Sequence, residues 1–447
     1  MRARLRVVGN DAAMSTSRRS FLGVVASGAA IGLSGCQVRP RRGPRSPDQP
    51  ARLMIVGVAG RGGENLDAVG NQHIEVLCDV DRRHLEAAAR KFPRARLCAD
   101  YRTVLQDPVE LARLDGVVVS TPDHTHYLPA MLALQQGLDV YCEKPLTQTV
   151  AQARRLTALA EANGCVTQMG TQIHANANYR RVVEAITAGA VGVVREVVVF
   201  VNGTDWSAQR LPDPKQVPAH LDWNLWLGPS APRAFSDGYH PMGWRRYWAF
   251  GGGTTADMAC HYVDLAFWAL DLDAPTSLQA DGPEPDPECA PAGLRCEYAF
   301  PARGRRAPIV LRWHAGKDRP AETLAKYGLE QWNNGVLFVG DDGWLVSDYD
   351  RHEVGPAARK AAWQAPPQSI APSPGHQKEW LLGCALRTRP SCSFAYAGPL
   401  TETVLLANIA LRAARGRRLQ WDAANVRTDD AAANALLDVH ARSGFSA

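Results

Sequence analysis

The stretch that leaves the fewest choices lies at residues 53–63. Leu53-Met54-Ile55-Val56-Gly57-Val58 is a short apolar run of strand type. Gly57-Val58-Ala59-Gly60-Arg61-Gly62-Gly63 overlaps its end and leads into a helical pattern that reaches about residue 70. A strand, a glycine-rich turn and a helix make a phosphate cradle, because free N–H groups and the positive end of the helix face the turn. The dinucleotide fingerprint is Gly57-x-Ala59-x-x-Gly62. Ala59 stands where a glycine is usual and crowds the pyrophosphate, while Gly60 and Gly63 relieve the crowding. The next strand-like run, residues 74–80, carries Asp79, 22 residues after Gly57. A carboxylate there accepts the ribose hydroxyls of an adenosine and repels a 2′-phosphate, which favours NAD over NADP. Arg82 and Arg83 soften that preference, so NADP stays open, and Asp81 is the second acid at the same strand end.

The alternation continues. A helix is expected over residues 83–91, and a β run over 116–120 ends in Thr121-Pro122-Asp123-His124-Thr125-His126. A further helix reaches residue 136, and a strand closes in Tyr141-Cys142-Glu143-Lys144-Pro145 before a long amphipathic helix from about residue 148. This is the pattern of a doubly wound parallel sheet, whose ligands sit at the carboxyl ends of the strands. Gly57, Asp79, Thr121 and Lys144 all fall at those ends. Pro145 keeps the backbone of Lys144 out of the α region, so the ammonium is aimed. It either polarises a hydroxyl or carbonyl, or is a solvated lysine at a strand end.

From about residue 171 the character changes to α+β and strand-rich. A helix is expected at 178–188 and strands at 195–202, 277–280, 295–300 and 309–313. A helix is also expected at 399–414, with Gly398 just outside it and Gly416 as its stop. Residues 205–250 are dense in aromatics, which suit either stacking on sugar faces or packing on a sheet. Trp223 and Trp226 read as structural, and Tyr239, Trp244 and Arg245 as substrate contacts. Asp257, His261 and Asp264 share one face of a helix over about 255–270. In that arrangement Asp257 orients the imidazole and His261 takes a proton from a hydroxyl. A capping Asp with a core His is the structural alternative. A metal site lacks a completing Cys or Glu, so no metal is expected. His174 is placed at the edge of the same pocket. Cys36 aside, the cysteines read as buried thiols, with Cys289 and Cys296 the one pair suited to a disulfide.

The formal charge of +5 belongs to the start of the chain. Residues 1–36 carry Arg2, Arg4, Arg6, Arg18 and Arg19 against Asp11. Residues 37–52 carry Arg39, Arg41, Arg42, Arg45 and Arg52 against Asp48, which leaves a net acidic body and no case for nucleic acid. Ser17-Arg18-Arg19-Ser20-Phe21-Leu22 is a twin-arginine pattern. The apolar stretch at 21–33 is too short to span a bilayer, and Leu33-Ser34-Gly35-Cys36 resembles a lipobox with Cys36 as the lipidated residue. Export to the periplasm follows, with lipidation at Cys36 or plain cleavage as the two outcomes and Met1 or Met14 as the start. A lipid anchor would be the membrane contact. The organisation is a signal at 1–36, a Pro/Arg-rich linker at 37–51, a nucleotide-binding domain at 52–172 and a substrate domain at 173–447.

These motifs together resemble the glucose–fructose oxidoreductase/inositol dehydrogenase/MocA family. They include Cys78-Asp79-Val80-Asp81, Glu143-Lys144-Pro145 and Gly251-Gly252-Gly253-Thr254-Thr255-Ala256-Asp257-Met258-Ala259-Cys260-His261. The resemblance implies an N-terminal Rossmann domain and a C-terminal α+β domain with an open, mostly antiparallel sheet. It implies a catalytic set of Lys144, Asp257 and His261, with Lys144 before a cis proline. It places the cofactor against Gly57, Ala59, Gly60, Arg61, Gly62, Asp79, Thr121, Pro122, His126, Glu143 and Lys144. The substrate then meets His174, Tyr239, Trp244, Arg245, Asp257 and His261. The expected activity is hydride transfer between NAD(P) and a secondary hydroxyl of a sugar, cyclitol or glycoside. The alternatives are a redox-neutral glycosidase or lyase cycle and a non-catalytic nucleotide-binding scaffold or sensor. Family resemblance also implies a homo-oligomer. Export implies a tightly held cofactor, since no free pool is expected outside the cytoplasm.

Overall fold

Six strands form a parallel sheet: β1 (Arg52–Val56), β2 (His73–Cys78), β3 (Arg96–Cys98), β4 (Gly116–Val119), β5 (Asp139–Cys142) and β6 (Thr167–Met169). Their order is β3-β2-β1-β4-β5-β6. The computed structural model describes residues 43–446. The twin-arginine stretch, the lipobox with Cys36, both candidate start residues and the first part of the linker lie outside the described residues. β4 and β5 are buried along their whole length, as strands covered on both faces should be. Strand order reverses between β1 and β4, which opens a crevice at their carboxyl ends.

One face of this sheet packs on the helices Tyr127–Gln135 and Val150–Asn163. The other face carries Leu53, Ile55, Leu77, Val118 and Tyr141, and residues from beyond the expected 172/173 boundary help to cover it. Helices Arg61–Ala68 and Arg82–Lys91 supply Leu66, Leu85 and Ala88 to that face, but the cover over β4–β6 is Trp380 of the helix His376–Leu386. The Trp380 indole N–H donates to the Val166 carbonyl at 3.3 Å, and Arg387 pairs with Asp139 at 2.6 Å. A parallel sheet needs an apolar cover on each face, and the chain returns after its second sheet to complete it. The described end of the linker is tied down as well, since the Arg45 N–H donates to the Ala385 carbonyl at 2.7 Å.

The second sheet contains β7 (Val194–Val201), β8 (Ser277–Asp281), β9 (Gly293–Phe300), β10 (Ile309–Gly316), β11 (Asn334–Gly340), β12 (Trp344–Ser347), β13 (His352–Gly355), β14 (Arg418–Asp422) and β15 (Arg427–Thr428). Its order is β13-β12-β11-β7-β10-β9-β8-β14-β15. Every pairing is antiparallel except β7 with β10. The helix Gly253–Leu270 lies on one face and sends Ala259, Val263, Ala266 and Phe267 into the core.

Two expectations change. The last long helix is Phe394–Ala414, not 399–414, so Gly398 and Pro399 lie inside it. Tertiary partners pull its start forward: the Phe394 N–H donates to Thr167 Oγ1 at 3.0 Å, and a Cβ at Gly398 would run into Thr157 of the facing helix. This helix is long and apolar enough to cross a membrane, but it is mostly buried within the protein. Cys289 and Cys296 are both free thiols. Cys296 packs in the core of the second sheet and Cys289 in the aromatic cluster around Trp223, two separate clusters.

Candidate active site

The glycine turn after β1 forms an open cradle. Gly57 has φ +86°, and a Cβ there would meet the Ser120 carbonyl oxygen at 2.6 Å. Gly60 has φ +55° with nothing within 4 Å of its missing Cβ, so the space above the turn is clear. No side chain caps the helix Arg61–Ala68. Asp79 braces the turn from β2: its carboxylate accepts the Val58 N–H at 3.0 Å and the Asp81 N–H at 2.9 Å. The two acids at this strand end differ in reach. The Asp79 side chain is 11% exposed, whereas Asp81 is fully enclosed by Arg83 and the imidazoles of His84, His220 and His240. Thr121 Oγ1, at the end of β4, and Thr171 Oγ1, just past β6, are buried without a partner among the described residues. An open cradle, an accessible acid and unpartnered hydroxyls at the strand ends fit a dinucleotide.

Lys144 lies two residues past the end of β5, and its peptide to Pro145 is cis. Its ammonium donates to Asp257 Oδ1 at 2.5 Å and to the Asp257 carbonyl at 2.8 Å. Arg245 Nε donates to the same Oδ1 at 3.2 Å, and the Trp206 indole N–H to Oδ2 at 2.7 Å. Burial would push the Asp257 carboxyl up, but the Lys144 and Arg245 cations outweigh it and hold it well below the usual range. Behind Lys144, Glu143 accepts from Asn65 at 2.9 Å and from the Lys144 N–H at 3.3 Å, with its carboxyl pushed up by burial. One turn along the helix, His261 is buried and its Nδ1 has no partner among the described residues. Burial and the Lys144 charge push its pKa well down, so the imidazole is neutral. Asp123 faces the same charges. Burial raises its carboxyl to about 7 against the pull of Arg245 and Lys144, and Asp257 reinforces the rise.

An oxidoreductase-family model describing an NAD-binding Rossmann fold matches residues 51–171, and the model of the same family's C-terminal alpha/beta domain matches 175–318. Together the matches span more than half of the chain. This chain belongs to the Gfo/Idh/MocA oxidoreductase family. Inositol 2-dehydrogenase 1 of Saccharopolyspora erythraea is 32% identical over 149 residues, covering 32% of this chain and 42% of the relative. D-apiose dehydrogenase of Paraburkholderia graminis is 30% identical over 128 residues, covering 28% of this chain and 32% of the relative. The chain thus spans less than half the length of the curated relatives it matches. GenD2 from gentamicin A biosynthesis, solved in complex with NAD, superposes with a TM-score of 0.58 at 19% identity, over 86% of this chain and 99% of GenD2. Levoglucosan dehydrogenase, solved with NADH and levoglucosan, gives 0.55 at 16% identity over 83% and 99%. At these identities the two structures speak to the fold.

The family motifs come together as a cluster of Lys144, Asp257 and Arg245 beside His261, but with altered roles. Asp257 does not hold His261: four-residue spacing sets them on one helix face, yet both carboxylate oxygens are taken by Lys144, Arg245 and Trp206. Asp264 turns to His174 instead, at 3.0 Å, and to the Tyr396 hydroxyl at 2.6 Å. His174 is buried and stacked on Trp268, with centroids 4.0 Å apart and Nε2 without a partner among the described residues. Tyr239 is packed between Tyr247 and Phe250, and Trp244 supports Arg245 with its ring 4.2 Å from the guanidinium, so of that trio Arg245 alone pairs with Asp257. Both His126 nitrogens face backbone carbonyls, of Pro145 at 2.8 Å and Thr121 at 2.7 Å. That makes His126 a brace between two strand-end loops. Trp206 and Asp123 were missed. Asp123 sits in the Thr121-Pro122-Asp123 motif, where its acid type beside a strand end was the available signal.

Proposed function

We propose that the chain is an NAD-dependent dehydrogenase acting on a secondary hydroxyl of a sugar, cyclitol or glycoside. The observation that carries this is the ammonium of Lys144, held by Asp257 at 2.5 Å just past β5, next to a buried neutral imidazole. Lys144 donates to the substrate oxygen, and His261, neutral and without a partner at Nδ1, receives the hydroxyl proton. Lys144 and Arg245 keep Asp257 ionised, and the Trp206 N–H fixes its second oxygen, so that it holds the lysine in place. The nicotinamide, when bound, accepts the hydride from the carbon. The names of the inositol and apiose dehydrogenases support a cyclitol or sugar. Lys144→Ala and His261→Ala should each lose about 10²–10⁴-fold in turnover while still binding NADH, since acid–base help is of that size. Near-wild-type rates in either variant on a true substrate remove that residue from the reaction.

Export and a resident cofactor belong to the same proposal. The leader motif supports export, and the segment around His220 supports retention. The Arg82 N–H donates to the His220 carbonyl at 2.9 Å, and the Asp222 N–H to the Val80 carbonyl at 3.0 Å, which lays this segment across the end of β2 where the adenosine would bind. Tight retention also stabilises the fold by mass action. Protein purified from the envelope fraction without added nucleotide, then denatured, should release near-stoichiometric NAD(H). An empty protein that needs millimolar NAD would overturn retention. Homo-oligomerisation is part of this reading too, and light scattering after size-exclusion chromatography tests it.

A further inference from the structure

Four arginines lie in the segment from Gly203 to Gly252. Three have a carboxylate: Arg210 pairs with Asp213, Arg233 with Glu288 and Arg245 with Asp257, each at 3.2 Å. Arg246 is the exception. Among the described residues no carboxylate lies within ion-pair distance of it, and no acceptor meets its side-chain N–H groups. It is nevertheless half-buried and next to the site. Its guanidinium carbon lies 5.4 Å from the centroid of the Trp206 ring, and that of Arg245 lies 5.2 Å from the same ring. The edge of that ring donates to Asp257 at 2.7 Å. One indole therefore connects the ion-paired carboxylate at Lys144 to a guanidinium with no counter-charge.

The local charge points the same way. Asp257 is already shared by Lys144 and Arg245, and the Asp123 carboxyl, raised to about 7 by burial, is only partly ionised at neutral pH. A guanidinium offers a planar fork of donors that matches the two oxygens of a carboxylate or phosphate.

Building on the dehydrogenase reading, we infer that the substrate is an anionic sugar whose carboxylate or phosphate is bound by Arg246 beside Trp206. The test uses the NAD-loaded protein with D-glucuronate, D-galacturonate and a hexose phosphate as anionic probes, and D-glucose and myo-inositol as neutral ones. NADH formation and calorimetric binding are both measured, for wild type, Arg246→Gln and Arg246→Lys. A charge-assisted hydrogen bond is worth about 1.5–3 kcal/mol, so Arg246→Gln should lower the anionic-to-neutral ratio of kcat/KM about 10–100-fold, mainly through KM. Arg246→Lys should recover part of it, and salt should weaken anion binding. The uronate and phosphate arms separate the two oxyanions. Equal anion binding by wild type and Arg246→Gln, or a uniform loss across neutral and anionic probes, overturns the inference. Anion binding that depends on Arg246 without turnover of any probe upholds the site and counts against the dehydrogenase reading alone.

Discussion

Replacing Asp257 by Asn tests the centre of the site with little change of shape. The side chain is 13% exposed and its two oxygens accept from Lys144, Arg245 and Trp206. An amide keeps one acceptor oxygen and no charge. Lys144 and Arg245 then lose the carboxylate they share, and the buried Asp123 is the acid that still faces them. At an effective dielectric near 20, two unit charges about 4 Å apart interact by about 4 kcal/mol, and breaking a buried ion pair by removing one partner typically costs about 3–5 kcal/mol. Without its anchor the Lys144 ammonium is no longer fixed just past β5, and a step that needs a donor at that point loses it. Asp257→Asn should therefore lower both kcat/KM and the denaturant midpoint, with NADH binding largely kept. The assay is NADH absorbance beside denaturant unfolding, with fluorescence titration of NADH. A variant with wild-type rate and stability would refute the claim that Asp257 acts by holding Lys144 in place.

Asp79→Ala should weaken NAD binding and narrow its advantage over NADP, read by titrating both cofactors. Unchanged NAD affinity would move the ribose contact elsewhere. Trp380→Ala should destabilise the protein by about 3–5 kcal/mol, the usual cost of emptying a fully buried tryptophan site, seen as a lower denaturant midpoint. Asp123 in the folded chain titrates near 7 rather than near 4, so the folded state holds its proton more tightly than the unfolded one, and stability falls as pH rises from about 4 to about 7. Asp123→Asn should lose less stability than wild type over that window, measured by denaturant unfolding at both ends. An identical pH dependence would show that Asp123 does not carry the shift.

Much of the first domain was legible because its signals are local. An apolar run into a glycine turn, an acid 22 residues on and a lysine before proline at a strand end each follow from a few adjacent residues. The partners of Asp257 were not legible. Lys144 arrives from another domain, and Trp206 and Arg245 come from a loop stretch with no period to reveal its direction. Spacing along a helix says which residues share a face, but not which neighbour takes a carboxylate first. Gly398 and Pro399 misled for the same reason. Locally they are helix breakers, yet the Phe394 N–H has its partner on β6 and Gly398 is where two helices come close. Arg245 was singled out by its place just before the glycine-rich loop, whereas Arg246 stands apart only once the other ion pairs of its segment are placed.

The return of the helix His376–Leu386 to the first sheet has a consequence for how the protein is made. The apolar face over β4–β6 has no Trp380 until the ribosome has finished the second sheet's strands β7–β13. Between Val166 and His376, synthesis at roughly 5–20 residues per second takes on the order of ten to forty seconds. Throughout that interval a nascent nucleotide-binding domain shows Tyr141 and Val118 to water, and a chaperone is its natural cover.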